Sequence, residues 1–211
     1  MKIIGVASQA QHGKSRLAER LAAKLNRQEG FSCWKQLGFA DEVKRVFCDS
    51  FGVDLEFLEK WKVNPEVPPG FDCPIRRGLQ LIGDGFRNIR DTIWIDLVFK
   101  HNIPMIIGDV RYPNEFFGIK KRGGLNILIG RPDRVNYDSN SSEALIRPYV
   151  LWALENFKDP FTDLREKDLS LGPQGMDCFD LFLRNDSSLE QYYYVIEEMV
   201  VPFVNEYQFK E

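Results

Sequence analysis

The sequence is poor in the residues that build metal centres. Its four cysteines, Cys33, Cys48, Cys73 and Cys178, are far apart with no CxxC pair, and only two histidines, His12 and His101, are available to join them. A structural zinc site and a disulfide framework are therefore not expected. No apolar run approaches the roughly eighteen residues that a membrane-spanning helix needs. Met1-Lys2 leads directly into a short apolar stretch without a cleavage pattern, so a cytoplasmic location is the expectation. The net charge of −3 lacks the broad positive field of a nucleic-acid-binding protein, although a local cluster such as Arg76, Arg77, Arg87 and Arg90 could hold phosphates. Any anionic partner is thus expected to be small; no membrane is expected, and nucleic acid is a less expected partner than a small molecule.

With 44% hydrophobic and 28% charged residues in 211, the chain can bury one large core. Lys2–Ala7 reads as a buried strand, followed by a polar loop and then a helix in which Leu17, Leu21 and Leu25 recur at helical spacing until Gly30. Ser32–Phe39 is a candidate second strand, and Asp41 a candidate cap for a helix carrying Val43, Val46 and Phe47. Pro65, Pro68, Pro69, Gly70 and Pro74 predict an exposed loop between Lys62 and Pro74. Helices are expected over Ile75–Arg87 and Asp91–His101, a strand from Pro104 ending at Asp109, a helix over Asn114–Arg122 and a strand over Leu125–Ile129.

After Arg131-Pro132 the composition changes. Asp138–Ser142 is polar, Pro148–Phe161 mixes aromatics with prolines at its ends, and Gly172-Pro173-Gln174-Gly175 signals a turn, so the stretch reads as an insertion. Asp180–Leu183 is the last expected strand; Asn185-Asp186-Ser187 reads as a turn and cap, and Leu189–Asn205 as the closing helix. Strands alternating with helices predict a three-layer α/β fold with a mostly parallel sheet, its ligand site at the C-terminal ends of the strands.

The segment Ser8-Gln9-Ala10-Gln11-His12-Gly13-Lys14-Ser15 matches the last three positions of G-x-x-x-x-G-K-[ST]. In that motif, backbone N–H groups wrap phosphates, the helix N-terminus adds a favourable dipole, lysine neutralises charge and the hydroxyl holds Mg²⁺. Ser8 stands where the motif has its first glycine, which a serine tolerates if its φ is negative. The triplet alone is weak, but the strand before it and the helix after it supply the context the motif requires. His12 reads as an incidental side chain of the loop.

Asp109 at a strand end suits a carboxylate that holds Mg²⁺, or else a plain turn residue; Arg111 could pair with a phosphate or Asp41, with Glu115 holding it in place. Arg77, Gln80 and Asp84 fall on one helical face, which could grip a phosphate and a base edge or equally be solvated. Asp41 and Lys44 are either an exposed pair or acceptor ligands. Trp152, Phe157 and Phe161 could form a local core or stack on a base.

Taken in order, several short blocks resemble the phage-type deoxynucleoside monophosphate kinases, relatives of the adenylate kinase group of P-loop enzymes. They are Gly13-Lys14-Ser15, Phe39-Ala40-Asp41 with Lys44, Arg77-x-x-Gln80-x-x-Gly83-x-Asp84, Trp94, Asp109-x-Arg111-x-x-x-Glu115, Arg131-Pro132 and Asn185-Asp186-x-Ser188-Leu189-Glu190. The resemblance implies one P-loop kinase domain over the whole chain, with an acceptor-binding region near 40–101 and a lid insertion near 131–178. It implies transfer of the ATP γ-phosphate, with Mg²⁺, to a (deoxy)nucleoside 5′-monophosphate for DNA precursor synthesis, in the cytoplasm of an infected host if the chain is phage-encoded. Lys14, Asp109, Arg111 and Arg131 would be catalytic. Gln11, His12, Gly13, Lys14, Ser15, Arg16, Arg131, Arg134 and Asn185 would bind ATP, and Ser15 and Asp109 the metal. Asp41, Lys44, Arg76, Arg77, Gln80, Asp84, Trp94, Arg111 and Glu115 would hold the acceptor, and a homodimer is possible. The alternatives are phosphorylation of a hydroxyl on a modified nucleotide or DNA base, and a P-loop switch without kinase activity.

Overall fold

The computed structural model describes residues 1–30, 33–137 and 143–209. They divide into two compact units, one comprising Met1–Leu37 with Asn102–Glu211 and the other Gly38–His101.

The larger unit is built on a six-stranded sheet in the order β2-β3-β1-β4-β6-β5, with β1 Ile3–Ala7, β2 Lys35–Leu37, β3 Met105–Val110, β4 Leu125–Gly130, β5 Phe161–Asp163 and β6 Leu181–Arg184. All pairings are parallel except that of β5 with β6. The expected fold class is thus the observed one. Buried β-branched and leucine side chains fill β1, β3 and β4 because a parallel sheet is covered on both faces. On one face Ile4, Val6, Leu125, Ile127 and Ile129 meet Leu17, Leu21 and Leu25 of α1 Lys14–Glu29 and the C-terminal helices. On the other, Asn126 Nδ2 reaches the Phe116 carbonyl of α6 Pro113–Lys121 at 2.9 Å. Because β1 lies between β3 and β4, the chain leaves it toward one side and returns on the other. That reversal opens a crevice at the C-terminal ends of the strands.

Asn126 is a wholly buried polar residue in the middle of the sheet, and its side-chain amide donates twice. Nδ2 serves the Phe116 and Cys178 carbonyls at 2.9 and 3.0 Å, while Asn126 and Asp180 bind each other through backbone and carboxylate. Asn126→Ala would strand one buried and one part-buried carbonyl, so a loss of about 2 kcal/mol is expected. Urea unfolding followed by circular dichroism measures it, and an unchanged midpoint would refute the account.

Several expectations are corrected. Among the described residues, the stretch expected as an insertion supplies α7 Glu143–Asn156, which packs on β4, and the edge strand β5. Gly130 makes the helix contact possible, since a Cβ there would lie 2.8 Å from Leu154 Cδ2. The aromatics join this body: Phe157 lies 6.0 Å from Phe182 and Phe161 lies 5.8 Å from Phe203, ring centre to ring centre. The cap of the closing helix is Ser188, not Ser187; its hydroxyl accepts from Gln191 N while Gln191 Oε1 accepts from Ser188 N. That helix runs as α8 Leu189–Val195, a π stretch Ile196–Val200 and α9 Val201–Glu206. Pro202 has no N–H for the carbonyl four residues back, and the register slips in the turn before it. Asp138–Ser142 and the start of the expected strand Ser32–Phe39 lie outside the described residues.

The smaller unit is helical: α2 Phe39–Phe51, α3 Leu55–Lys62, α4 Ile75–Ile89 and α5 Ile93–Phe99. Phe47, Leu58 and Ile75 form its core, with Phe71 stacked on Phe47 at 5.8 Å. Asp41 is the third residue of α2 and not its cap, which is Gly38. There its charge still favours the helix N-terminus.

Candidate phosphate-binding site

The loop between β1 and α1 curls because two of its residues take positive φ, Gln11 at 62° and Gly13 at 103°. Ser8 is not among the positive-φ residues, which is why serine can replace glycine there. Gly13 is required twice over: besides its φ, a Cβ would lie 2.8 Å from Asn185 Nδ2 and 3.0 Å from Tyr192 Oη. Those two side chains hold the loop from beneath, Asn185 Nδ2 donating to His12 O at 2.9 Å and the Tyr192 hydroxyl to Gly13 O at 3.3 Å.

Above the loop is a cavity of about 580 Å³, lined by Gln11, Gly13, Lys14, Ser15, Arg16, Arg111, Arg131 and Asn185 together with Ala10, Ser187, Leu189 and Tyr192. The structure therefore brings eight of the expected site residues to one place. Four carry positive charge. Lys14 is buried, and its ammonium donates to the carbonyls of Ser8 and Gln9 at 3.0 and 2.5 Å. Burial, reinforced by the nearby Arg111 guanidinium, pulls that ammonium down to about 7 against the opposing pull of Glu143 and Asp109. Arg16 is steadied by Tyr193, whose hydroxyl accepts from Nη1 at 3.0 Å, and Arg131 by Asp133 at 2.9 Å. Asp109 is half-buried in β3, which runs one residue further than expected, to Val110. Arg134 is exposed, its Nη1 3.5 Å from Gln11 Oε1.

Other expected residues sit elsewhere. The His12 ring is fully buried below the loop and does not line the cavity. Glu115 is also buried; its Oε2 accepts from the backbone N–H groups of Arg111 and Tyr112 at 2.7 and 3.0 Å, so it fixes the turn that carries Arg111. In the smaller unit Trp94 is a core residue, 1% exposed, with its indole N–H given to Gly83 O at 3.0 Å. A buried ring with its one donor already used has nothing left to offer a substrate. Asp41 and Lys44 pair with each other at 3.0 Å, and Lys44 also reaches Glu59 at 3.1 Å. Arg76, Arg77, Gln80 and Asp84 lie exposed on α4, with Asp84 3.5 Å from Arg87.

Three contributors escaped the sequence reading. Gln9 grips Asn136 in both directions, donating to its carbonyl at 2.7 Å and accepting from its N–H at 3.1 Å. Glu143, buried at the start of α7, places Oε1 3.3 Å from Arg111 Nη1 and accepts from Asn136 Nδ2 at 3.2 Å. Tyr192 supports Gly13 as described. A charged residue opening a helix was the available signal for Glu143.

A glycine-pivoted loop between β1 and α1 of a mostly parallel α/β sheet, facing Lys14, Arg16, Arg111 and Arg131, places the chain in the α/β class with a basic cavity beside its first helix. More particularly, the chain resembles the deoxynucleoside monophosphate kinases, and a relative agrees. The "Putative deoxynucleotide monophosphate kinase" of Acanthamoeba polyphaga mimivirus is 29% identical over 167 residues, which are 70% of this chain and 83% of that protein. No family model matches. Two solved structures align over nearly the whole chain but are too remote to bear on function. "Dephospho-CoA kinase from Campylobacter jejuni" aligns at a TM-score of 0.42 and 15% identity, covering 97% of this chain and 98% of that one. A "putative kinase" from Chloroflexus aurantiacus aligns at 0.38 and 13% identity, covering 98% of each.

Proposed function

We propose that this protein is an ATP-dependent kinase that phosphorylates the 5′-phosphate of a (deoxy)nucleoside monophosphate. The observation that carries the reading is the convergence of Lys14, Arg16, Arg111 and Arg131 on one cavity above the Gly13 loop. A γ-phosphoryl in transfer spreads negative charge over its oxygens, and fixed cations in a partly dry site stabilise that charge. Lys14 is the innermost of the four, and an arriving polyphosphate restores the proton that burial disfavours.

The Ser15 hydroxyl, exposed at the cavity, and the Asp109 carboxylate are oxygen donors of the kind a magnesium ion takes, the rest of its shell being water and phosphate. Bound there, the ion would neutralise phosphate charge and align the β- and γ-phosphates. Arg111, carried by the turn that Glu115 fixes and paired with Glu143, is held for the transferring group. No strong general base is needed, because an acceptor phosphate is already ionised at neutral pH. The exposed α4 face with Arg76, Arg77, Gln80 and Asp84, and Asp41 with Lys44 on α2, are the acceptor ligands in this reading.

Coupled detection of ADP across a panel of ribo- and deoxyribonucleoside monophosphates tests the proposal. Turnover of at least one is expected; none at all sinks it. Transfer of labelled γ-phosphate to DNA but to no monophosphate would move the acceptor to a hydroxyl.

A further inference from the structure

His12 is the loop residue whose side chain the phosphate chemistry leaves unused. Its ring is 0% exposed, enclosed between the loop and the segment that follows β4. The Arg131 backbone N–H points at Nδ1 from 3.1 Å, and Nε2 lies 3.1 Å from Arg134 O. A backbone N–H can only donate, so Nδ1 must present its lone pair and the ring proton must sit on Nε2, where Arg134 O accepts it. The Ile129 carbonyl, 3.4 Å from Nδ1, is then a neighbour and not a partner. One ring thereby spans a sequence gap of about 120 residues and fixes both ends of the turn Arg131–Arg134, whose first residue lines the cavity.

We propose that His12 is a positioning residue for phosphoryl transfer, holding the Arg131 backbone through Nδ1 and so setting the Arg131 guanidinium against the phosphate-binding loop. The proposal rests on the kinase reading above. His12 touches no reacting atom; it acts through Arg131, whose side chain is further oriented by Asp133 at 2.9 Å. The geometry admits only the neutral ring, because a second proton on Nδ1 would face the Arg131 N–H donor to donor. Burial pulls the imidazole below its usual 6.5; the Arg134 and Ile129 carbonyls oppose this, Lys14 adds to it and Glu143 works against it. With the folded value depressed, the unfolded chain takes up the proton first, so this joint is at full strength above about pH 6.5 and is lost as pH falls.

The chain has only two histidines, so nitrogen-15 histidine spectra contain two ring systems, and His12→Asn removes and thereby assigns one of them. The His12 ring is expected to show the Nε2–H pattern throughout pH 6.5–8. Kinetics separate its two bonds. His12→Asn keeps an acceptor opposite the Arg131 N–H and should lose less than about threefold in kcat, whereas His12→Gln keeps only the donor toward Arg134 O and should lose at least about tenfold, with KM for ATP changed by less than about threefold in both. Lowering the pH to 5.5 should cost the wild type more thermal stability than His12→Asn. An Nδ1–H pattern, an imidazolium at pH 7, or equal kcat losses in the two variants overturns the proposal. If the wild type phosphorylates no acceptor, the kinase reading fails and this proposal with it; if it does and the tautomer is wrong, this proposal alone fails.

Discussion

Replacing Lys14 with methionine should lower kcat by about 10²–10³-fold while raising KM for ATP far less. The ammonium is the innermost cation of the cavity, and in the proposed reaction it gains most when phosphate charge develops beside it, so its removal would be felt chiefly in the transition state. Before any ligand arrives, the same ammonium is a burden on the fold: burial drags it down to about 7, and the Arg111 guanidinium adds to the strain. Methionine of similar length relieves that desolvation but leaves the Ser8 and Gln9 carbonyls without their donor. The two effects oppose each other, so the melting temperature should stay within a few degrees of wild type. Steady-state kinetics and calorimetry on one preparation decide the matter. Near-normal turnover would show that the loop is not the phosphate site, and a collapse of the melting temperature would show that Lys14 is structural.

How much of this was visible in the sequence depended on the range of the interaction. The β1 strand, the loop and α1 were legible because their signals are local: an apolar run, Gly13-Lys14-Ser15, and leucines at positions 17, 21 and 25. Buried strands β3 and β4 announced themselves by continuous hydrophobicity, as strands covered on both faces do. What stayed hidden was the bracing of the loop. Gln9 meets Asn136 across 127 positions and Asn185 meets His12 across 173, and nothing local marks such pairs. The three residues of β5 are too few for an alternating pattern, and Pro148, inside α7, interrupts the helical reading although the helix continues through it. Glu115 was legible as a group associated with Arg111, but its capping of the backbone was masked because Tyr112, not serine or threonine, precedes it by three. Trp94 is the opposite case: the family resemblance implies it for the substrate, the structure buries it against Gly83, and nothing local in the sequence separates a core tryptophan from a ligand.

Glu143 is where bracing and chemistry meet, and Glu143→Ala should damage both. Its two oxygens are divided between the Arg111 guanidinium and the Asn136 amide, and its own carbonyl lies 3.4 Å from Gln9 Nε2. Removing the carboxylate takes away one of the two anions that offset Lys14, together with the ion-pair partner at Arg111 Nη1 and the acceptor of Asn136 Nδ2, whose backbone clasps Gln9 of the loop. A destabilisation of about 2–3 kcal/mol is expected, toward the lower side for a buried pair because Arg111 is one-third exposed. The loss in kcat should be about 10–100-fold, as Arg111 and the loop lose their common anchor. Glu143→Gln separates the contributions: its amide oxygen can still accept from Asn136, so most of the stability should return, but with no charge to hold Arg111 the rate should remain low. Urea unfolding and single-turnover kinetics on the two variants resolve the two. Recovery of both by glutamine would reduce Glu143 to a hydrogen-bonding brace, whereas recovery of stability alone places its charge in the organisation of the phosphate cavity.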